Sequence, residues 1–219
     1  MPNRPVMTVI AGPNGSGKTT LLRALVSQGL DAGVHINADD IALTLDASAE
    51  RDRRAQGLAQ EVRDDCIASG TTFTFETVMS HPSKVEEMGL AVRKGFKVRL
   101  IYVGLEDPII NRERVGLRVK QGGHDVPADR IAARYERSMR LLPLAILTAH
   151  EALVFDNSDA DRGHRLVAVC TRTTIGGKRS LVVEMRGDAR WFRAIVEAPE
   201  YGLRVQCRKK RLGFEESAE

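Results

Sequence analysis

The chain has 219 residues, 42% hydrophobic and 28% charged, with a formal net charge of +4 and a pI near 9.1. Those values exclude collagen-like and disordered classes and predict an ordinary globular chain, large enough for one α/β domain with an appendage and a sizeable core. The mild positive excess suits anionic small molecules as well as nucleic acid, so charge alone does not choose between them.

The first strand is expected at Val6–Ala11, a short apolar run. It begins so early that no room for a signal peptide is expected before it. Residues 12–19 then read GPNGSGKT, with a second threonine at 20. This matches the phosphate-binding pattern G-x-x-x-x-G-K-[ST] at every fixed position. The loop comprises Gly12, Pro13, Asn14, Gly15, Ser16, Gly17, Lys18, Thr19 and Thr20, and a helix is predicted over about 17–29. Glycines let the backbone turn its N–H groups inward around a phosphate, and the helix N-terminus adds partial positive charge. Lys18 is placed to reach the β- and γ-phosphates of ATP or GTP, and the Thr19 hydroxyl to bind Mg²⁺.

A second strand is expected at Val34–Ala38, running into Asn37-Ala38-Asp39-Asp40-Ile41-Ala42. A carboxylate here faces the phosphate loop across the crevice at the strand ends. Phosphoryl transfer to an alcohol needs a group that accepts the hydroxyl proton and aims the oxygen, and Asp39 is the candidate. Asn37, Asp39 or Asp40 can instead cap the next helix, and one of the aspartates is a natural choice. After a helix over 50–69, a third strand at Thr71–Thr77 ends Phe75-Glu76-Thr77. Glu76 at its top could bind Mg²⁺ through water, hold substrate hydroxyls, or be an ordinary charged strand end.

Further helices are predicted over 82–94, 107–121 and 128–149, with strands at Val98–Leu105 and Ala152–Phe155. Residues 112–140 carry seven arginines: Arg112, Arg114, Arg118, Arg130, Arg134, Arg137 and Arg140. Arg114 and Arg118 share one helix face by their spacing, as do Arg130 and Arg134. Between them, Gln121-Gly122-Gly123-His124-Asp125-Val126-Pro127 reads as a turn ending at a proline that opens a helix. Two helices lined with guanidiniums form a candidate lid over a triphosphate, about 107–140, since arginine's planar fork pairs with phosphate oxygens. The alternative is a solvated basic face partnered by Glu113 and Glu136. His124 reads as a turn or substrate residue rather than a metal ligand. Val154-Phe155-Asp156 ends in an aspartate without the following glutamate of transport ATPases, which favours a compact kinase over a motor.

The tail reads differently. Arg165–Cys170 and Ser180–Met185 look like a hairpin around Ile175-Gly176-Gly177-Lys178, followed by a short helix near Ala189–Glu197. Arg208-Lys209-Lys210-Arg211 is a basic run best read as a solvated tail. Three cysteines without a CxxC pair, Cys66, Cys170 and Cys207, give neither a zinc site nor a disulfide framework and favour a reducing cytosol. No apolar run reaches membrane-spanning length. The expected fold is α/β: a three-layer α/β/α P-loop NTPase with a mainly parallel sheet, a helical lid and a C-terminal β-hairpin. The kinase unit is expected over 1–158, with 159–219 packed on it or trailing it.

Taken together, these motifs resemble the zeta toxin family of P-loop kinases, in the chromosomal branch often labelled predicted ABC-type ATPases. The points of likeness are GPNGSGKT at 12–19, Asn37 to Ala42, Phe75-Glu76-Thr77, and Arg114-Val115 through Arg118. Gln121 to Pro127, Arg134-Tyr135 with Arg137-Ser138, and Phe155-Asp156-Asn157-Ser158 complete the set. The resemblance implies a nucleotide- and Mg²⁺-dependent kinase acting on a hydroxyl of a nucleotide sugar such as UDP-N-acetylglucosamine, with a small antitoxin protein as partner. By motif position, Asp39 matches the family's general base and Glu76 an active-site carboxylate. Arg118 and Arg134 match the lid arginines that contact phosphates, while Lys18 and Thr19 keep the phosphate and metal roles. The lid differs in length and pattern from plasmid-borne relatives, which leaves the acceptor open. The alternatives are a nucleotide-binding ATPase acting through a partner, and a metabolite or antibiotic kinase. Nucleic acid and membrane are not the expected partners.

Overall fold

The computed structural model describes residues 4–120, 127–175, 178–198 and 206–207. They form a three-layer α/β/α unit around an eight-stranded sheet in the order β2-β3-β1-β4-β5-β6-β7-β8. The strands β1 (Val6–Ala11), β2 (Val34–Ile36), β3 (Phe73–Thr77), β4 (Lys97–Gly104) and β5 (Glu151–Asp156) run parallel. The next two, β6 (Arg165–Ile175) and β7 (Lys178–Met185), are antiparallel and extend the same sheet beyond β5. A two-residue strand, β8 (Gln206–Cys207), closes the edge.

Being central explains the composition of β1: both of its faces are covered, so it reads as a continuous apolar run. Met7, Val9 and Ala11 enter the larger core, with Phe73, Phe75, Leu100 and Tyr102. Ile10, on the opposite face, joins Ile101, Val103 and Phe155 under Leu21 and Leu22 of α1 (Lys18–Ser27). The larger core is covered by α3 (Arg51–Ser69), α4 (Ser83–Arg93), α6 (Ala128–Thr148) and α7 (Arg190–Glu197).

The second strand is shorter than the sequence predicts. It stops at Ile36 because Asn37 Oδ1 accepts the Asp39 N–H at 2.9 Å and opens a short helix, α2 (Ala38–Leu43). Of the three capping candidates, Asn37, Asp39 and Asp40, it is therefore Asn37 that caps, and neither aspartate. The hairpin strands are longer than expected, since β6 finds a full antiparallel partner on both sides. The glycines of its turn, Gly176 and Gly177, lie outside the described residues, as do Gln121 to Val126 with His124, and the basic run 208–211.

Two helices, α5 (Pro108–Lys120) and α6, pack through Val115, Ile131 and Val119, a small cluster separate from the main core. Farther along, α6 enters the main core with Leu142, Ala145 and Ile146. A buried hydrogen bond between Tyr102 Oη and Ser138 Oγ, 2.9 Å, marks the junction. No helix among the described residues is long and apolar enough to cross a membrane.

Candidate active site

The loop after β1 leaves the sheet beside the top of β3. Ala11 is in register with Thr77, and the Gly12 N–H donates to the Thr77 carbonyl at 3.2 Å. The loop is tightly enclosed. At Gly12, φ is +146°, and a Cβ there would overlap the Val103 carbonyl. At Gly17, φ is +93°, and a Cβ would lie 2.7 Å from both Asn157 Nδ2 and His164 Nε2. Such distances leave room for glycine alone.

Side chains from three other segments hold the loop from outside. Asn157 Nδ2 donates to the Ser16 carbonyl at 2.8 Å. His164 Nε2 lies 3.0 Å from the Gly17 carbonyl. Asn111, fully buried on α5, donates through Nδ2 to the Asn14 carbonyl. Inside the loop, Lys18 Nζ donates to the Gly12 and Pro13 carbonyls at 2.8 and 3.0 Å. The buried Ser16 Oγ and Asn14 Oδ1 have no partner. A buried polar atom left without a partner is costly, and an anion's oxygens would supply one to the Ser16 hydroxyl.

Glu76 stands at the centre of the strand ends. Its Oε2 accepts from Thr19 Oγ1 at 2.7 Å and its Oε1 from Asn37 Nδ2 at 3.3 Å, with His35 Nε2 3.4 Å away. With a side chain only 7% exposed, it is not a solvated strand end. A hydroxyl and a carboxylate are oxygen donors, as Mg²⁺ demands. Among the described residues no group of three or more His, Cys, Asp or Glu converges on a metal position. Beside nucleotide phosphates Mg²⁺ takes one or two protein oxygens and the rest from phosphate and water, so the residues present fit it.

A cavity of about 1070 Å³ opens over the loop. One wall carries Lys18, Thr19, Asp39 and Glu76, and Arg114, Arg130 and Arg134 contribute from α5 and α6. Arg112, Arg137 and Arg140 do not line it; Arg137 Nε donates to the Ser80 carbonyl at 3.2 Å. Arg118 lies on α5, with its side chain outside the described residues.

The opposite wall, from α3 and α4, was not legible in the sequence. Arg63 Nε pairs with Glu87 Oε1 at 2.7 Å, with both side chains at most 7% exposed. Lys84 Nζ reaches Glu87 Oε2 at 3.1 Å and Gln60 Oε1 at 2.9 Å, and Arg63 Nη2 donates to the same Gln60 oxygen at 2.5 Å. The Arg63 guanidinium also stacks 4.9 Å above the Phe75 ring. Burial lowers the Lys84 pKa, against the pull of Glu87. The only sequence signal was a run of polar residues at helical spacing, which any solvated helix shares.

A third feature lies behind the site. Asp156, 3% exposed at the end of β5, accepts from Ser158 Oγ at 2.6 Å, Arg165 Nη2 at 2.6 Å and Trp191 Nε1 at 3.0 Å. Burial alone would raise its pKa, but these donors and the Arg165 charge outweigh it and hold the carboxyl below its ordinary value. Asp156 thereby ties β6 and α7 to the core, and the Trp191 ring lies directly on Gly104 at the end of β4.

The zeta toxin family model matches residues 1–161. An uncharacterised protein of Haemophilus influenzae is 33% identical over 130 residues, 57% of this chain and 88% of that protein. Among solved structures, a chain of the AvrRxo1-ORF1:AvrRxo1-ORF2 complex crystallised with sulphate ions superposes with a TM-score of 0.63 at 18% identity. That match covers 89% of this chain and 64% of the other, so the chain spans less than two thirds of its neighbour. A chain of the PezAT chromosomal toxin-antitoxin system of Streptococcus pneumoniae superposes with a TM-score of 0.54 at 17% identity, over 74% of this chain and 71% of that one. At such identities the structural matches establish the fold, and the family match over residues 1–161 settles the lineage. The chain belongs to the zeta toxin family of P-loop kinases.

Proposed function

We propose that this protein transfers the γ-phosphoryl group of ATP, with Mg²⁺, to a hydroxyl of a small acceptor, and that the acceptor is a nucleotide sugar such as UDP-N-acetylglucosamine. The observation that carries the reading is the 2.7 Å contact of Thr19 with Glu76, in a cavity that Asp39 also lines. In this reading the loop N–H groups and Lys18 hold the β- and γ-phosphates, Lys18 exchanging its two carbonyl partners for phosphate oxygens. Thr19 and Glu76 hold Mg²⁺, which when bound neutralises charge on the phosphates. Asp39 accepts the acceptor's hydroxyl proton and aims the oxygen at phosphorus. Arg134, with Arg118 and Arg114, balances the negative charge that spreads over the transferring group. Residues 1–158 are the kinase unit, with 107–140 as its lid. A small antitoxin that obstructs the nucleotide site, and a cytoplasmic location, complete the proposal. The likeness to a chain of the PezAT toxin-antitoxin system supports the antitoxin.

The test is to incubate the purified chain with Mg²⁺·ATP and a panel of nucleotide sugars and to look for the mass of one added phosphate. Transfer to UDP-N-acetylglucosamine that disappears in Asp39→Asn is the expected result. Slow ATP hydrolysis that survives the substitution, without transfer to any sugar, overturns both the acceptor and the base.

A further inference from the structure

The family model matches residues 1–161. Yet the third residue past that boundary reaches the phosphate loop. His164 Nε2 lies 3.0 Å from the Gly17 carbonyl oxygen. A carbonyl only accepts, so Nε2 carries the proton. Burial lowers the ring's pKa and the Arg114 charge adds to the lowering, while the Gly17 bond pulls the other way. The ring is therefore neutral near pH 7, in the tautomer that donates. The closeness is built in from both sides, since the same Nε2 lies 2.7 Å from where a Gly17 Cβ would stand.

We infer that His164 is a positioning residue of the nucleotide site, and that the segment entering β6 is part of that site rather than an appendage. The physical reason is the direction of the peptide units. A phosphate cradle needs successive N–H groups to point inward, so the matching carbonyls must point out and find donors elsewhere. Asn157 serves Ser16 in this way, and His164 adds a side-chain donor to the carbonyl of Gly17, the N-cap of α1, which also accepts the Leu21 N–H at 3.0 Å. Its neighbour Arg165 is clamped to the buried Asp156 at 2.6 Å, which fixes the backbone that carries His164. Without the histidine the Gly17 carbonyl keeps only the Leu21 N–H, 3.0 Å away, and the peptide unit before the Lys18 N–H loses its one side-chain tether among the described residues.

The inference rests on nucleotide binding at the loop, not on the transfer reaction or the acceptor. The experiment titrates a fluorescent N-methylanthraniloyl-ATP with Mg²⁺ onto the full chain and its His164→Ala and His164→Gln variants. Melting temperatures are recorded without nucleotide. The Ala variant is expected to bind about three- to tenfold more weakly, the range for one lost hydrogen bond. The Gln variant, whose amide donates from a similar reach, is expected within about twofold of the wild type on the same scale. An Ala variant that binds as the wild type does overturns the inference. So does a Gln variant that loses as much as Ala, because the role would then be packing. A wild-type chain that binds no nucleotide sinks the parent reading with it, and is recognised by that silence alone.

Discussion

The two walls of the cavity are built on different principles. On the phosphate-loop wall the backbone is the surface, and side chains from α5, just after β5 and just before β6 hold it by its carbonyl oxygens. On the α3/α4 wall the side chains themselves are the surface: Arg63 and Lys84 each donate to the buried Glu87 and to Gln60 Oε1. A backbone site needs glycines at fixed spacing, so it is written as a motif. A side-chain site is assembled from residues 24 apart in the chain and leaves no local signature.

The sharpest way to separate the walls is Asp39→Asn, which removes the proposed base from the first of them. Transfer is expected to fall on the order of 10²- to 10⁴-fold, while the affinity for the fluorescent nucleotide stays within about twofold. An equal loss of both would show that Asp39 serves nucleotide binding instead. Next in size is Glu87→Gln, which leaves Arg63 and Lys84 without their carboxylate. Breaking a buried pair costs about 3–5 kcal/mol, and melting is expected roughly 10 °C lower. The double replacement Arg63→Met with Glu87→Leu should recover most of that stability. If it does, and acceptor selectivity is unchanged, the α3/α4 wall has no part in choosing the acceptor.

Lys18→Ala tests the other wall. Loss of a charged donor is expected to weaken Mg²⁺·ATP binding about 10- to 100-fold and to slow transfer as well, with little change in melting temperature. The smallest effect is the acid limb of stability. Because the folded-state pKa of Asp156 is depressed, its contribution is present above the unfolded value of 3.8 and is lost as the pH falls through the lower folded value. Asp156→Asn should therefore lower the melting temperature at pH 7, with the gap to wild type narrowing below about pH 4. A gap that is constant with pH would mean that the Arg165 and Trp191 bonds do not depend on the charge.

How much of this was legible beforehand follows the same division. The loop at 12–20 and the succession of parallel strands were readable, because each depends on local rules of period and turn chemistry. The end of the second strand was misplaced and α2 was not foreseen, since Asn37 chooses between strand and cap through its side chain, and both uses fit the same residues. Glu76 was named, but its three polar neighbours from α1 and the end of β2 became visible only when β1, β2 and β3 lay side by side. Asn111 and His164 carried no signal: an asparagine in a helix and a histidine before a strand have many ordinary explanations.

By itself, then, the sequence determined the class of ligand and the kind of sheet. A glycine loop between an apolar strand and a helix can do little else than hold phosphate, and alternating strands and helices can bury both sheet faces only in a parallel arrangement. Tertiary structure alone decided what holds the loop in place and what lines the remainder of the cavity. The contacts in question span 97, 141 and 147 residues to the loop and 24 across the second wall. Contacts over such distances depend on which strands become neighbours, and no periodicity within a segment records that.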